Sequence, residues 1–189
     1  MRLFIAVNFS DATRKTLLAL RDELRSYAER GNFSSPENLH LTLAFLGECG
    51  LNQITAAELS MDAVKFEPFD LLIERVGRFS GARTVADKTV RSDGGRGESE
   101  SLWWAGIRGD KPLLELHRQL TENLAGAGFS LDSRRFNPHI TLGRRVVTDV
   151  APWRVEPFGE TVRSIDLMKS ERINGRLTYT PVYQRAYEV

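Results

Sequence analysis

The chain has 189 residues, of which 41% are hydrophobic and 27% are charged, and its formal net charge is +1. This composition is ordinary for a globular domain, and the balanced charge excludes attraction of a long polyanion by overall charge alone. The single cysteine, Cys49, excludes an internal disulfide, and no Cys/His cluster suggests a zinc framework, so we expect a cytoplasmic protein. The length fits one domain over residues 1–189.

The first half of the chain predicts three strands separated by two helices. Leu3–Val7 is an apolar run shorter than a signal-peptide core or a membrane span, so it predicts a first strand and no membrane partner. Ser10 or Asp11 can cap a helix that continues to about Arg30. The elements that follow are a strand that ends at Leu46, a helix over about 52–64 and a strand over 69–76.

The second half repeats this order after a polar stretch. Residues 80–101 contain few large apolar side chains and include the run Asp-Gly-Gly-Arg-Gly, which predicts a mobile loop. A strand over 102–107 and a helix over 111–125 follow, and Asn174-Gly175 predicts the turn of a closing β-hairpin. The repeated order predicts an α+β fold of two pseudo-symmetric lobes, each a mainly antiparallel sheet with helices on its outer face.

One four-residue phrase occurs twice, as His-Leu-Thr-Leu at 40–43 and as His-Ile-Thr-Leu at 139–142, and it contains two of the three histidines. Because side chains alternate between the two faces of a strand, His40 and Thr42 share one face, and His139 and Thr141 do the same. The other face of the first copy is predicted to enter the core, and it carries Leu39, Leu41, Leu43 and Phe45.

These residue types indicate acid/base chemistry on a phosphate ester. Imidazole titrates near pH 6.5, so two facing histidines can act as general acid and general base, and threonine hydroxyls can donate hydrogen bonds to an oxyanion. A metal site would need a third ligand, and neither H-x-H nor H-E-x-x-H spacing occurs. A Cys49 nucleophile would have no positional relation to both copies of the phrase.

Four passages resemble those of a known family: Leu3 to Val7, Pro36 to Gly47, Leu102 to Gly106, and Phe136 to Arg144. Through them the chain resembles the two-histidine phosphoesterase superfamily, specifically the RNA 2′,3′-cyclic phosphodiesterases, also called 2′-5′ RNA ligase-like proteins. The resemblance implies hydrolysis of a 2′,3′-cyclic phosphate to a 2′-phosphomonoester in a cleft between the lobes. It also implies reversible 2′-5′ RNA ligation and no metal or organic cofactor.

The resemblance further implies a role for each residue of the phrase. His40 would donate a proton to the leaving 3′ oxygen, His139 would accept a proton from water, and Thr42 and Thr141 would hold the non-bridging phosphate oxygens. The residues alone do not assign the acid and the base, since the two copies are nearly identical and neighbouring groups set each pKa.

Other residues near the phrase leave alternatives open. The arginines that flank the second copy are Arg134, Arg135, Arg144 and Arg145. Arg144 matches the family's motif position and is the expected phosphate ligand, whereas strict alternation from His139 favours Arg145. Trp103 and Trp104 could stack on a base, although adjacent tryptophans in a strand usually divide between core and surface. His117 is expected on a helix surface without a catalytic role.

The expected partners are RNA 3′ ends or nucleotides that carry a 2′,3′-cyclic phosphate, tRNA fragments among them, and we expect a monomer. Two alternative functions remain at this point. One is a phosphodiesterase that acts on a small cyclic-phosphate metabolite or a 2′-5′ linkage. The other is a non-catalytic protein that binds RNA ends.

Overall fold

A computed structural model describes residues 1–80 and 100–187. The loop predicted over residues 80–101 therefore lies, except for its two ends, outside the described residues. In the described ranges no helix is both long enough and apolar enough to cross a membrane.

The described residues form three α-helices and nine strands. The helices are α1 (Asp11–Tyr27), α2 (Leu51–Asp62) and α3 (Lys111–Gly126). The strands are β1 (Arg2–Asn8), β2 (Arg30–Phe33), β3 (His40–Glu48), β4 (Phe69–Ser80), β5 (Ser101–Ile107), β6 (His139–Val147), β7 (Trp153–Val162), β8 (Ser164–Ile173) and β9 (Arg176–Ala186). Every predicted helix and strand is present, and the sequence did not predict β2 and β7.

The predicted α+β fold with two lobes is confirmed. The strands are antiparallel in the order β7-β4-β5-β6-β3-β1-β8-β9, and β2 pairs with β6 beside this path. The two motif strands, β3 and β6, occupy the centre, where the single residue pair Leu41–Ile140 joins them. We call β3, β1, β8 and β9 the first lobe, and β6, β5, β4, β7 and β2 the second lobe.

Each lobe contains two strands from the other half of the chain, β2 and β4 in the second lobe and β8 and β9 in the first lobe. β4 comes from the first half and pairs with β5 of the second lobe, whereas β8 comes from the second half and pairs with β1 of the first lobe. The lobes are thus not two consecutive stretches of sequence, and the exchanged strands tie them together.

The helices cover one face of the sheet and leave the other face for the site. Ser10 caps α1 by accepting a hydrogen bond from the Thr13 amide, and α1 packs against β2, β6 and β7. On β1, Ile5 belongs to the main core under the helices, whereas Phe4 belongs to a small separate cluster on the opposite face. We call this opposite face the cleft face.

A β-bulge in β3 overturns one prediction about the core. Ile5 faces Ala44 and Ala6 faces Thr42, so Leu43 is an extra residue in β3. Leu43 and Ala44 are both buried, and the side chain of Phe45 is 64% exposed on the cleft face. The prediction that Phe45 lies in the core is wrong because a bulge reverses the alternation that follows it.

The second motif strand contains a bulge at the matching position. Gly143 pairs with Trp103 and Thr141 pairs with Trp104, so Leu142 is the extra residue of β6. Leu142 and Gly143 are both buried, and the alternation after them is shifted by one residue. The residue that returns to the cleft face is consequently Arg144, the counterpart of Phe45 in β3.

Candidate active site

The fold brings the two predicted histidines together at the centre of the sheet. His40 begins β3 and His139 begins β6, and the residues next to them, Leu41 and Ile140, form the pair that joins the lobes. Both imidazoles are half-buried on the cleft face. They lie close enough that a charge on His139 lowers the pKa of His40.

Both imidazoles are held by the same type of hydrogen bond. His40 Nδ1 lies 2.7 Å from the carbonyl oxygen of Asn38, and His139 Nδ1 lies 2.7 Å from the carbonyl oxygen of Asn137. A carbonyl oxygen only accepts hydrogen bonds, so we assign the proton of each neutral ring to Nδ1. The second nitrogen, Nε2, is then the one available for proton transfer in the cleft.

The turns before the histidines fix these carbonyl groups. Asn38 ends a short 3-10 turn, and its side-chain amide donates to the carbonyl oxygen of Leu177 in β9, 2.9 Å away. In the second lobe, Pro138 favours an extended conformation for the preceding residue, Asn137. The carbonyl oxygen of Pro138 accepts a hydrogen bond from the Ile107 amide. The imidazole positions are therefore set by backbone geometry in both lobes.

The surroundings lower the pKa of both histidines. Burial is the main cause for His40, with further effects from the positive charges of Arg144 and His139, and together they lower its pKa to about 4 against the opposing hydrogen bond to Asn38. For His139, burial and then Arg144 act in the same direction, against the hydrogen bond to Asn137. Both imidazoles are accordingly neutral near pH 7.

The structure places Arg144 and not Arg145 beside the histidines. The charge of Arg144 acts on His40, on His139 and on Tyr179. Arg145 adopts a left-handed backbone conformation and forms an ion pair with Glu100, with 2.9 Å between Nε and Oε2. The bulge at Leu142 explains why strict alternation favoured Arg145, whereas Arg144 is the arginine beside the histidines.

The two threonines lie on the cleft face next to the histidines. Thr42 Oγ1 is 3.0 Å from His40 Nε2 and, in the assigned tautomer, donates its proton to it. Thr141 is half-buried, and its carbonyl oxygen accepts a hydrogen bond of 2.7 Å from Ser34 Oγ, which holds this part of β6 against β2. Each lobe thus presents one imidazole and one hydroxyl to the cleft.

Aromatic rings surround the histidines, and the sequence did not predict most of them. Tyr179 packs edge-on against His40, with 5.2 Å between ring centroids, and Phe79 packs edge-on against His139 at 5.3 Å. Trp104 lies 6.5 Å from His139 but is only 9% exposed, and Trp103 is fully buried in the main core. Neither tryptophan offers the open ring face that base stacking requires.

A buried carboxylate also lies on the cleft face of the first lobe. Asp166 is 4% exposed and accepts hydrogen bonds from Asn8 Nδ2 at 2.8 Å and from Gln184 Nε2 at 2.7 Å. Asn8 is the register partner of His40, so this network supports the strand beside the first histidine. No local pattern could have indicated it, because Asn8 and Asp166 are far apart in sequence.

The structure also places the other predicted residues, His117, Arg134 and Arg135. His117 is on α3, where it stacks on Phe136 with 3.8 Å between ring centroids, and burial lowers its pKa. Arg134 pairs with Asp132, and Arg135 is exposed before β6. Within residues 1–80 and 100–187, no group of three His, Cys, Asp or Glu side chains is arranged to hold a metal ion.

Sequence comparison identifies a family and several named relatives. The family profile of LigT-like phosphoesterases matches residues 7–86 and 108–179. The chain is 32% identical to the RNA 2′,3′-cyclic phosphodiesterase of Archaeoglobus fulgidus, over 90% of this chain and 91% of that protein. It is 30% identical to the RNA 2′,3′-cyclic phosphodiesterase of Thermotoga maritima, over 100% of this chain and 94% of that protein.

Structure comparison finds the same fold. The crystal structure of E. coli LigT complexed with 3′-AMP has a TM-score of 0.76 and 26% identity, with coverage of 98% of this chain and 96% of that one. The structure of TT0787 from Thermus thermophilus has a TM-score of 0.78 at 24% identity, over 98% of this chain and 97% of that one, and supports the fold alone. The chain belongs to the LigT-like phosphoesterase family.

Proposed function

We propose that this protein is an enzyme that hydrolyses the 2′,3′-cyclic phosphate of RNA or nucleotides to a 2′-phosphomonoester by two-histidine acid/base catalysis. The observation that carries the proposal is the matched pair of imidazoles, each with Nδ1–H bound to a backbone carbonyl, which leaves Nε2 as the nitrogen that can exchange a proton in the cleft. The names and coverage of the Archaeoglobus and Thermotoga relatives support the choice of substrate.

In the proposed reaction, His139 Nε2 accepts a proton from water while the water oxygen attacks phosphorus. The bond between phosphorus and the 3′ oxygen breaks, and protonated His40 donates its Nε2 proton to that oxygen. Hydrolysis leaves His139 charged and His40 neutral, and exchange with solvent restores the starting protonation states. We assign stabilisation of the negative charge that develops in the transition state to Thr42, Thr141 and Arg144.

The charge of the substrate accounts for how His40 can be protonated near neutral pH. In the free protein its pKa is about 4, mainly because of burial. A phosphodiester carries a negative charge, and an anion within a few ångströms raises the pKa of an imidazole. We therefore propose that His40 becomes protonated only in the substrate complex. There the negative charge of the phosphate raises the pKa of His40 and partly offsets the effect of the positive charge of Arg144.

The proposed partners are RNA 3′ ends, including those of tRNA fragments, and nucleotides with the same terminal group. A 5′ hydroxyl in the position of the attacking water would form a 2′-5′ linkage, which is the ligation that the family resemblance implies. We also propose a monomer in the cytoplasm. The free and buried thiol of Cys49 is compatible with that compartment.

The direct test is to incubate the protein with a short RNA that ends in a 2′,3′-cyclic phosphate, with and without a chelator, and to identify the product isomer. We expect a 2′-phosphomonoester at an equal rate under both conditions. A 3′-phosphate product would contradict the proposed leaving group, and loss of turnover in the chelator would contradict catalysis by histidines alone.

A further inference from the structure

The two motif strands differ at the first cleft-face residue after their bulges. β6 presents Arg144 there, whereas β3 presents Phe45. Phe45 is 64% exposed, and its ring centroid lies 6.2 Å from that of Phe4, which is itself buried. The exposed phenylalanine offers an aromatic ring toward solvent on a strand beside the site.

A cationic side chain lies beyond Phe45 on the same face. Arg2 is exposed on β1 and, by alternation, shares the face of Phe4. The positive charges of Arg2 and Arg144 both act on Tyr179, so both arginines lie within electrostatic range of this residue. Within the part of the chain that the structure describes, no carboxylate forms an ion pair with Arg2.

The position of Arg2 separates it from the reacting phosphate. Ala6 is the register partner of Thr42, and Arg2 lies roughly 13 Å from Ala6 along β1, given the rise of a strand. Arg2 also lines an open pocket of about 430 Å³ beside the β8–β9 hairpin, whose other charged side chains are Glu48, Lys169, Glu171 and Arg172. Glu48 forms an ion pair with the N-terminal amine and Glu171 with Lys169, so neither carboxylate pairs with Arg2 or Arg172. Space and positive charge therefore continue past the catalytic centre on the first lobe.

We infer that the surface formed by Phe45 and Arg2 binds the RNA chain on the 5′ side of the cyclic phosphate. Phe45 stacks on a base, and the Arg2 guanidinium pairs with an upstream phosphodiester. Proteins that bind single strands combine these two elements, a ring for the bases and cations for the backbone. The inference rests on the proposed function and deepens it, since it makes an oligonucleotide a better substrate than a cyclic mononucleotide.

The test compares Arg2→Gln and Phe45→Ala with the wild type on two substrates, a 2′,3′-cyclic mononucleotide and an oligoribonucleotide that ends in the same group. We expect each substitution to lower kcat/KM for the oligonucleotide by at least about fivefold, the lower end for loss of one base–aromatic stack. For Arg2→Gln, kcat/KM for the mononucleotide should stay within about twofold of wild type. For the oligonucleotide, the plot of log kcat/KM against log salt concentration should also become less steep in Arg2→Gln. The change in slope should be about 0.7, the amount for one phosphate contact on a single strand.

Matched controls are available on the helices. Arg118→Gln removes the same charge from α3, and Leu59→Ala truncates a side chain on α2 that is 65% exposed, close to the value for Phe45. Both controls should leave the ratio of kcat/KM for the two substrates unchanged. A ratio of kcat/KM that stays unchanged in Arg2→Gln and Phe45→Ala would overturn the inference. The same holds for Arg2→Gln if kcat/KM falls by the same factor on both substrates, since the ratio is then also unchanged.

Failure of the proposed function gives a different result. If the wild type hydrolyses neither substrate, the proposed activity is wrong, and fluorescence anisotropy with the labelled oligonucleotide then decides the subsite. Weaker binding by Arg2→Gln than by Arg118→Gln would support the subsite, and equal binding would contradict it.

Discussion

At the residue scale, the two histidines form the same type of hydrogen bond through Nδ1 but differ in their neighbours. Each Nδ1 binds a carbonyl two residues earlier, while Tyr179 packs beside His40 and Phe79 packs beside His139. The sequence could predict the histidines and threonines because strand alternation is a local rule. It could not predict Tyr179, since contacts between residues distant in sequence leave no local pattern.

The pH dependence of kcat/KM tests the electrostatics of the free enzyme. Because burial and Arg144 lower the pKa of both histidines below 6.5, we expect a bell-shaped profile with its maximum on the acid side of pH 6.5. Arg144→Met removes a positive charge that disfavours the imidazolium, so both limbs should move to higher pH. Arg145→Met is the control and should leave the limbs in place, because Arg145 faces Glu100. Unmoved limbs in Arg144→Met would contradict the placement of Arg144.

The threonine hydroxyls provide a second residue-scale prediction. Thr42→Val and Thr141→Val keep the shape of the side chain and remove the donor, so each should lower kcat by about 100-fold, as loss of one oxyanion donor does. Single-turnover rates on the cyclic-phosphate oligonucleotide measure the effect. A rate within a factor of two of wild type in either variant would exclude that threonine from charge stabilisation.

At the element scale, the bulges in β3 and β6 decide which side chains enter the cleft. Each bulge adds one residue at the last position of the motif, Leu43 or Leu142, and turns Phe45 outward in one strand and Arg144 in the other. A bulge depends on pairing with a neighbouring strand, so a reading of one segment does not reveal it. This is why the face of the histidines was predictable and the face of the residues after the bulges was not.

The packing of Trp104 on β4 gives an element-scale prediction about stability. The ring lies against the backbone of Gly77, where an added Cβ would be 2.4 Å from the nearest ring atom. Gly77→Ala should therefore destabilise the protein by about 1–3 kcal/mol through overpacking, measured by urea unfolding. Gly126→Ala, where an added Cβ would meet nothing within 4 Å, is the control and should cost nothing. Equal stability of both variants would contradict the described packing.

At the scale of the whole molecule, the exchange of β4 and β8 couples the two lobes. The repeated order of elements in the sequence predicted two lobes, and the strand order confirms them. Assignment of β4 and β8 to the opposite lobes depends on long-range pairing, which composition and periodicity do not specify. If one lobe unfolds, a strand that belongs to the other half of the chain therefore loses its pairing partner.

Unfolding should accordingly be a single cooperative transition. All three tryptophans, Trp103, Trp104 and Trp153, lie in the second lobe, and the single buried thiol, Cys49, follows β3 of the first lobe. Tryptophan fluorescence and Cys49 labelling should then report the same midpoint in urea. Leu167→Ala in the exchanged strand β8 should lower both midpoints together, by about 2–5 kcal/mol in stability. Two separate midpoints would contradict the coupling of the lobes.

The most direct test of the central claim is the single-turnover rate of His40→Ala, His139→Ala and the double variant on an RNA that ends in a 2′,3′-cyclic phosphate. If the two imidazoles act on one phosphate as acid and base, each single substitution should lower the rate by at least about 100-fold. The double variant should lose little more, since the two groups act as a unit. A near-normal rate in either single variant would contradict the account.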